Sequence, residues 1–193
     1  MRDPKDTLVH YLQGARDSVL WKLEGLSDYD VRRPLTPTGT NLLGLVKHLA
    51  SVELGYFGDT FGRPSGIDMP WYAEDADANE DMWATPTESR EWVIDVYRHA
   101  WAHAAVTFAQ CDLNTVGHVK HWGNEPVTLH QMLVHMATET HHHAGHADIL
   151  REMIDGTAGF LPAAPNLPKD EYDWPAHVAK VAAAADAFRS SGD

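Results

Sequence analysis

Apolar residues recur three and four positions apart in four long stretches of this 193-residue chain, and no stretch alternates apolar and polar residues for long. That periodicity predicts an all-α protein. The first helix is predicted to follow Asp3, with Pro4 at its first position and a core stripe of Leu8, Leu12, Ala15, Val19 and Leu23. Gly25 is its expected stop. The second follows Thr40 or Asn41, carries Leu42, Leu45, Leu49, Val52 and Tyr56, and ends near Gly58 or Gly62. The third starts at Thr87 and buries Val93, Val96, Tyr97, Ala100, Ala104 and Phe108. The fourth starts at Thr128, with Gln131 three residues on as a capping partner, and runs to Asp155 before Gly156.

Four long helices predict a four-helix bundle. Between the second and third, residues 63–86 lose all periodicity and hold Pro64, Pro70 and Pro86 beside Trp71, Tyr72 and Trp83. A loop of that length in a compact domain is usually functional or disordered, and its aromatics favour a docked flap. Residues 112–127 are expected to hold a short strand or hairpin. A Pro-rich passage from Leu161 to Pro168 leads to a last amphipathic helix over Trp174–Phe188. The expected division is a bundle over residues 1–156 and an extension over 157–193 packed on it.

Composition narrows the partners. Lys and Arg number 15 against 28 Asp and Glu, a net charge of −13. Without a basic stripe, neither a nucleic-acid backbone nor an anionic membrane surface is an expected partner. The first residues open no signal peptide, and no apolar run is long enough to span a bilayer. The single cysteine, Cys111, cannot form an internal disulfide, so a cytoplasmic location is expected. The unusual residue is histidine, with 13 copies and four of them between His141 and His146.

The fourth helix places those histidines on a seam. Positions 132, 136, 139, 143, 146, 150 and 153 repeat at spacings of four and three, the pattern of residues facing a bundle interior. Their occupants are Met132, Met136, Glu139, His143, His146, Leu150 and Met153. An ionised Glu in a dry core costs several kcal/mol unless it is paired or ligated. A divalent metal satisfies that need, since Glu139 and His143 project from one face at i, i+4. His48 on the second helix, one turn from both Leu45 and Val52, is the candidate third ligand. Three protein ligands leave a coordination position open, as catalytic sites do. The rotated pair His142 and His146, and the pair His99 and His103, are rival ligand sets. A polar core network without metal is the simpler alternative. Cys111 reads as a small core residue, and no phosphate-binding loop, dinucleotide fingerprint or hydrolase nucleophile motif is present.

At these residues the chain resembles a known family. The run His135-Met136-Ala137-Thr138-Glu139-Thr140, then His143-Ala144-Gly145-His146-Ala147-Asp148-Ile149-Leu150-Arg151-Glu152 and Ile154-Asp155-Gly156, is similar to the signature helix of the DinB/YfiT-like superfamily. Leu45-Val46-Lys47-His48-Leu49 followed by Glu53 resembles its second-helix motif. The likeness covers about residues 5–156, and its nearest branch is related to mycothiol-dependent enzymes. It implies an up-down-down-up bundle with a metal at one end of the core, held here by His48, Glu139 and His143. His146 stands where many relatives carry Gln, which implies a place beside the ligands or toward substrate.

The function expected from these readings is a metal-dependent transferase. A low-molecular-weight thiol such as mycothiol, bound at the open position, attacks a small electrophile as its thiolate. His146 is the candidate catalytic residue for proton handling. Zinc is the first choice of metal, with nickel, manganese and iron as alternatives. The competing classes are a hydrolase using metal-bound water and a non-catalytic binding protein. A small-molecule substrate is expected, and a homodimer is compatible with the aromatic flap and tail.

Overall fold

A computed structural model describes residues 3–73, 75–168 and 171–189. Glu74 of the expected flap, and residues 169–170 and 190–193 of the expected extension, lie outside the described residues. The elements are α1 (Pro4–Trp21), α2 (Asp28–Arg32), α3 (Leu42–Glu53), α4 (Arg90–Gln110), β1 (Val116–Val119), β2 (Glu125–Thr128), α5 (Leu129–Asp155) and α6 (Trp174–Asp186). Among the described residues, the protein is all-α apart from one antiparallel hairpin, in which Val116 faces Thr128 and Val119 faces Glu125. Among the described residues, no helix is long and apolar enough to cross a membrane.

Side-chain caps start the helices where the sequence suggests. Asp3, Asn41, Ser89 and Thr128 each accept a hydrogen bond from a backbone N–H in the following turn. The third long helix therefore begins at Arg90 rather than Thr87. At the far end of α5, Gly156 adopts a left-handed φ of 77° and terminates the helix. The C-terminal carbonyls of α1 find a partner in a neighbouring helix: Arg151 Nη1 donates to Lys22 O at 2.9 Å and Glu24 O at 2.8 Å.

Helix α1 packs chiefly on α5, and α3 on α4, with α3 also touching α5. Leu12, Ala15, Val19 and Leu23 are buried as their stripe requires. Helix α3 is buried on more than its stripe: Leu43, Val46, Ala50 and Glu53 are inaccessible too, so it is the central helix. Glu53 is compensated by Arg16 of α1, whose Nε and Nη2 reach its two oxygens at 2.9 and 2.5 Å. Burial alone raises the Glu53 carboxyl, and the guanidinium opposes it. Removing one partner of such a pair costs about 3–5 kcal/mol.

The seam of α5 holds for most of its length. Met132, Met136, His143 and Leu150 are buried, but Met153 is exposed. A strict heptad drifts by about 20° per repeat around a straight helix, and by its third repeat the stripe has rotated outward. Ile154 packs against the core instead.

The segment after α5 returns to α1, where Ser18 Oγ donates to Phe160 O at 2.9 Å and the buried Lys22 donates to Gly159 O. Helix α6 has no buried residue. Its apolar Trp174, Val178 and Val181 are exposed.

Residues 63–86 dock along one face of α3. Asn41 Nδ2 donates to Met82 O at 3.2 Å. Lys47 Nζ donates to Glu80 O and Trp83 O and pairs with Glu88 at 3.0 Å. Trp71 Nε1 donates to Ser51 Oγ at 3.0 Å, with Lys47 over its ring. Gly44, Lys47, His48 and Ser51 thus form an i, i+3, i+4, i+7 stripe that is polar or small, with the capping Asn41 one turn before it. Gly44 is required by sterics, because a Cβ there would lie 1.8 Å from the Met82 carbonyl oxygen.

Gly44→Ala is expected to cost about 1–3 kcal/mol in chemical denaturation and to open the 63–86 segment to protease. Gly145→Ala, in mid-helix with open space around it, is expected to stabilise by about 0.5–1 kcal/mol. Equal effects from the two substitutions would contradict the docking.

Candidate metal centre

His48 lies on the α3 stripe that receives the flap, and its ring is gripped from both sides. Nδ1 is 2.6 Å from Asp81 Oδ2, supplied by the flap. Nε2 is 3.2 Å from Glu139 Oε1, supplied by α5. One turn further along α5, His143 Nε2 approaches the same Glu139 oxygen at 3.0 Å. Two imidazoles from different helices therefore aim their Nε2 atoms at one carboxylate oxygen. Their rings stand edge to face, 4.9 Å apart at 71°. One ligand atom from each of His48, Glu139 and His143 lies within 4.8 Å of the others. Among the described residues, this is the group of His, Cys, Asp or Glu side chains that converges on one point in threes.

The electrostatics follow from burial and from the shared carboxylate. Burial opposes the charged form of His48, but its bonds to Asp81 and Glu139 prevail and raise it to about 9. Bonds from His143 and His48 hold Glu139 well below the usual carboxylate range, against the effect of burial. The bond from His48 likewise lowers Asp81. Two carboxylates that hold a proton on His48 this strongly make a site that favours positive charge. His/Glu/His donors at one point, with the outer nitrogen of one His held by a carboxylate, fit a divalent metal of borderline softness.

His146 sits behind this group. Its Nδ1 is 3.3 Å from His143 Nδ1, the ring nitrogen turned away from Glu139. Burial, then the nearby His142 and His143, lower its pKa, so the imidazole is neutral near pH 7. It also borders a cleft of about 220 Å³ formed with Thr36, Thr40, Ile149 and Leu150.

Comparisons with known proteins give the family and the fold. Residues 7–156 match the Mycothiol-S-transferase family. The chain belongs to that family. In fold, it is similar to the structure titled "Crystal structure of the conserved protein of locus from Enterococcus faecalis", with a TM-score of 0.58 and 17% identity. The match covers 81% of this chain and 100% of that one. A search of curated proteins finds no match. The family's DinB-like bundle is the all-α architecture described above.

The rival histidines take other places. His142 is exposed and packs edge-on against His146, with centroids 4.3 Å apart. His99 and His103 stack on α4, and His103 Nε2 donates to Arg63 O at 2.6 Å. His103 thus secures the chain after α3. Cys111 is half-buried at the end of α4.

Three neighbours of the site carry no sequence signal. Asp81 is one of several acidic residues in an aperiodic segment, and only the docking of that segment on Gly44 and Lys47 brings it to His48. Desolvation of its hydroxyl end, and then the nearby Asp81 carboxylate, raise the Tyr72 phenol. Tyr56 follows His48 by two turns and lies in a π-helical turn, Leu54–Gly58, of the kind that often marks functional positions. Burial and the charge of Glu139 raise its phenol, and its hydroxyl is 3.1 Å from His121 Nε2 at the hairpin tip.

The metal-free protein is expected to hold a proton on His48 up to about pH 9. Since that value is raised from an ordinary 6.5, the stability it contributes is fully present below 6.5 and is lost as pH rises through 9. Asp81→Asn should lower the His48 midpoint in an NMR titration and weaken metal binding about 10–100-fold. An unchanged midpoint would show that Asp81 does not hold the ring.

Proposed function

We propose that this protein is a metal-dependent transferase that activates a low-molecular-weight thiol of the mycothiol type for attack on a small electrophile. The observation that carries the reading is the convergence of His48 Nε2 and His143 Nε2 on Glu139 Oε1 in a chain of the Mycothiol-S-transferase family. His48, Glu139 and His143 would hold the ion, with zinc the choice for a His/carboxylate donor set. A bound divalent ion lowers the pKa of a coordinated thiol, so that the thiolate is available at neutral pH.

The chain's own residues do the rest. Asp81 fixes the tautomer and direction of the His48 ring from its outer nitrogen. His146, beside the cleft, accepts the proton released by the thiol on its Nδ1, a role that requires that nitrogen to leave its 3.3 Å contact with His143 Nδ1. Trp71 is consumed in holding the flap to α3, whereas Trp83 is exposed beside Met82 and lines a cleft with Thr38–Thr40. Of the flap's two tryptophans, Trp83 is therefore the one free to meet a substrate.

Elemental mass spectrometry of untagged protein should find about one metal per chain, lost in His143→Ala and kept in His142→Ala. Loaded protein should then consume an electrophile only when thiol is added. Metal lost only in His142→Ala would move the site to the rotated histidine pair. Product formed without thiol, with water incorporated, would make the protein a hydrolase.

A further inference from the structure

Helix α6 has an apolar seam and leaves it bare. Trp174, Val178, Val181, Ala185 and Phe188 recur at spacings of four and three, so they lie along one side of the helix and the turn after it. Trp174, Val178, Val181 and Phe188 are 45, 61, 55 and 89% exposed. The helix is well begun, since Asp173 Oδ1 accepts from Ala176 N and Pro175 lies in the first turn. Its 13 residues are nonetheless about the length at which an isolated helix is marginal in water. A seam of this kind stabilises a helix only when another surface covers it, and no residue of α6 is buried on its own bundle.

The α1–α4 side of the bundle has a place for such a helix. There the two helices are joined by long side chains instead of close packing. Lys5 Nζ crosses to Phe108 O at 2.7 Å, Arg16 lies 5.6 Å from the centre of the Trp101 ring, and Arg90 Nη1 reaches Leu26 O at 2.8 Å. The spread leaves a cleft of about 330 Å³, walled by Trp21 of α1, Trp101 of α4 and Leu161 of the segment after α5. Asp17 and Glu24 from α1 and Arg98 from α4 stand on its rim. An apolar trough between two helices is the shape that receives the apolar face of a third.

Charge matches the two surfaces. The chain carries −13, so most faces of two copies repel each other. The stretch from Trp174 to Arg189 departs from that balance, with Lys180 and Arg189 against Asp186. Arg189 is paired with Asp186 at 2.8 Å, an exposed i, i+3 contact that costs little to exchange. The rim opposite carries two carboxylates to one guanidinium.

We propose that α6 docks a second copy of this chain, its seam lying in the α1–α4 cleft of that copy and Lys180 and Arg189 facing the partner's Asp17 and the partner's Glu24. Each copy carries both halves of the contact, so a two-fold axis makes it twice and closes the assembly. Making it twice doubles the area toward the roughly 800 Å² per partner of a stable interface. The 11 residues between Pro162, at the cleft, and Trp174 span up to about 40 Å when extended, enough to cross to a neighbour. The assembly does not depend on the chemistry at Glu139.

Analytical ultracentrifugation of the full chain tests the docking. The wild type should sediment as a dimer at micromolar concentration. Val178→Glu combined with Val181→Glu, at exposed positions, should give a folded monomer. Lys180→Glu combined with Arg189→Glu should raise the dimer Kd about tenfold. Adding Asp17→Arg and Glu24→Arg to that same chain should restore it. A monomeric wild type, with α6 free or folded onto its own cleft, overturns the proposal. A dimer that survives Val178→Glu with Val181→Glu overturns it by placing the interface elsewhere. Loss of the dimer in the helix variants without rescue by the rim variants overturns the cleft as the seat of α6.

Discussion

A half-buried carboxylate inside a helical bundle must be compensated, and the arrangement around Glu139 follows from that requirement. Its oxygen Oε1 accepts from two imidazoles at 3.2 and 3.0 Å, one from α3 and one from the next turn of its own helix. His48 in turn needs a second carboxylate to hold its outer nitrogen, and Asp81 supplies it from the flap. The flap therefore belongs to the site as well as to the surface. Charge compensation, flap docking and helix pairing meet at a single side chain.

Helix α3 makes that coupling possible. Its apolar faces fill the core, Glu53 ties it to α1 through Arg16, and its remaining stripe is given over to the flap. Lys47 and His48 are adjacent in sequence and divide the work. Lys47 binds the flap's backbone, and His48 binds its aspartate. Loosening the flap thus frees the ring nitrogen of a ligand candidate, so fold stability and metal affinity are linked through the same contacts.

The bundle was legible in the sequence because its four long helices carry sustained apolar stripes and side-chain caps. Glu139 and His143 were legible because polar residues interrupt an otherwise apolar seam. Other features leave no such trace. The five residues of α2 are too few to show a period. Asp81 reaches His48 only through a long-range contact that depends on the absence of a side chain at Gly44. Met153 fits the heptad on paper, but a straight α-helix turns it to solvent. The burial of α3 on nearly every side reflects its central position, which no single helix's pattern reveals. Tyr56 reads as one more core aromatic until the hairpin tip is seen against it.

The most direct measurement is the coordination of the bound ion, by anomalous diffraction or by X-ray absorption at the metal edge of the loaded protein. The expected result is one ion about 2.0–2.2 Å from His48 Nε2, Glu139 Oε1 and His143 Nε2, with an exchangeable water or thiol at the remaining position. An ion held by His142 and His146, or a fourth protein ligand closing the shell, would contradict an open centre built on Glu139.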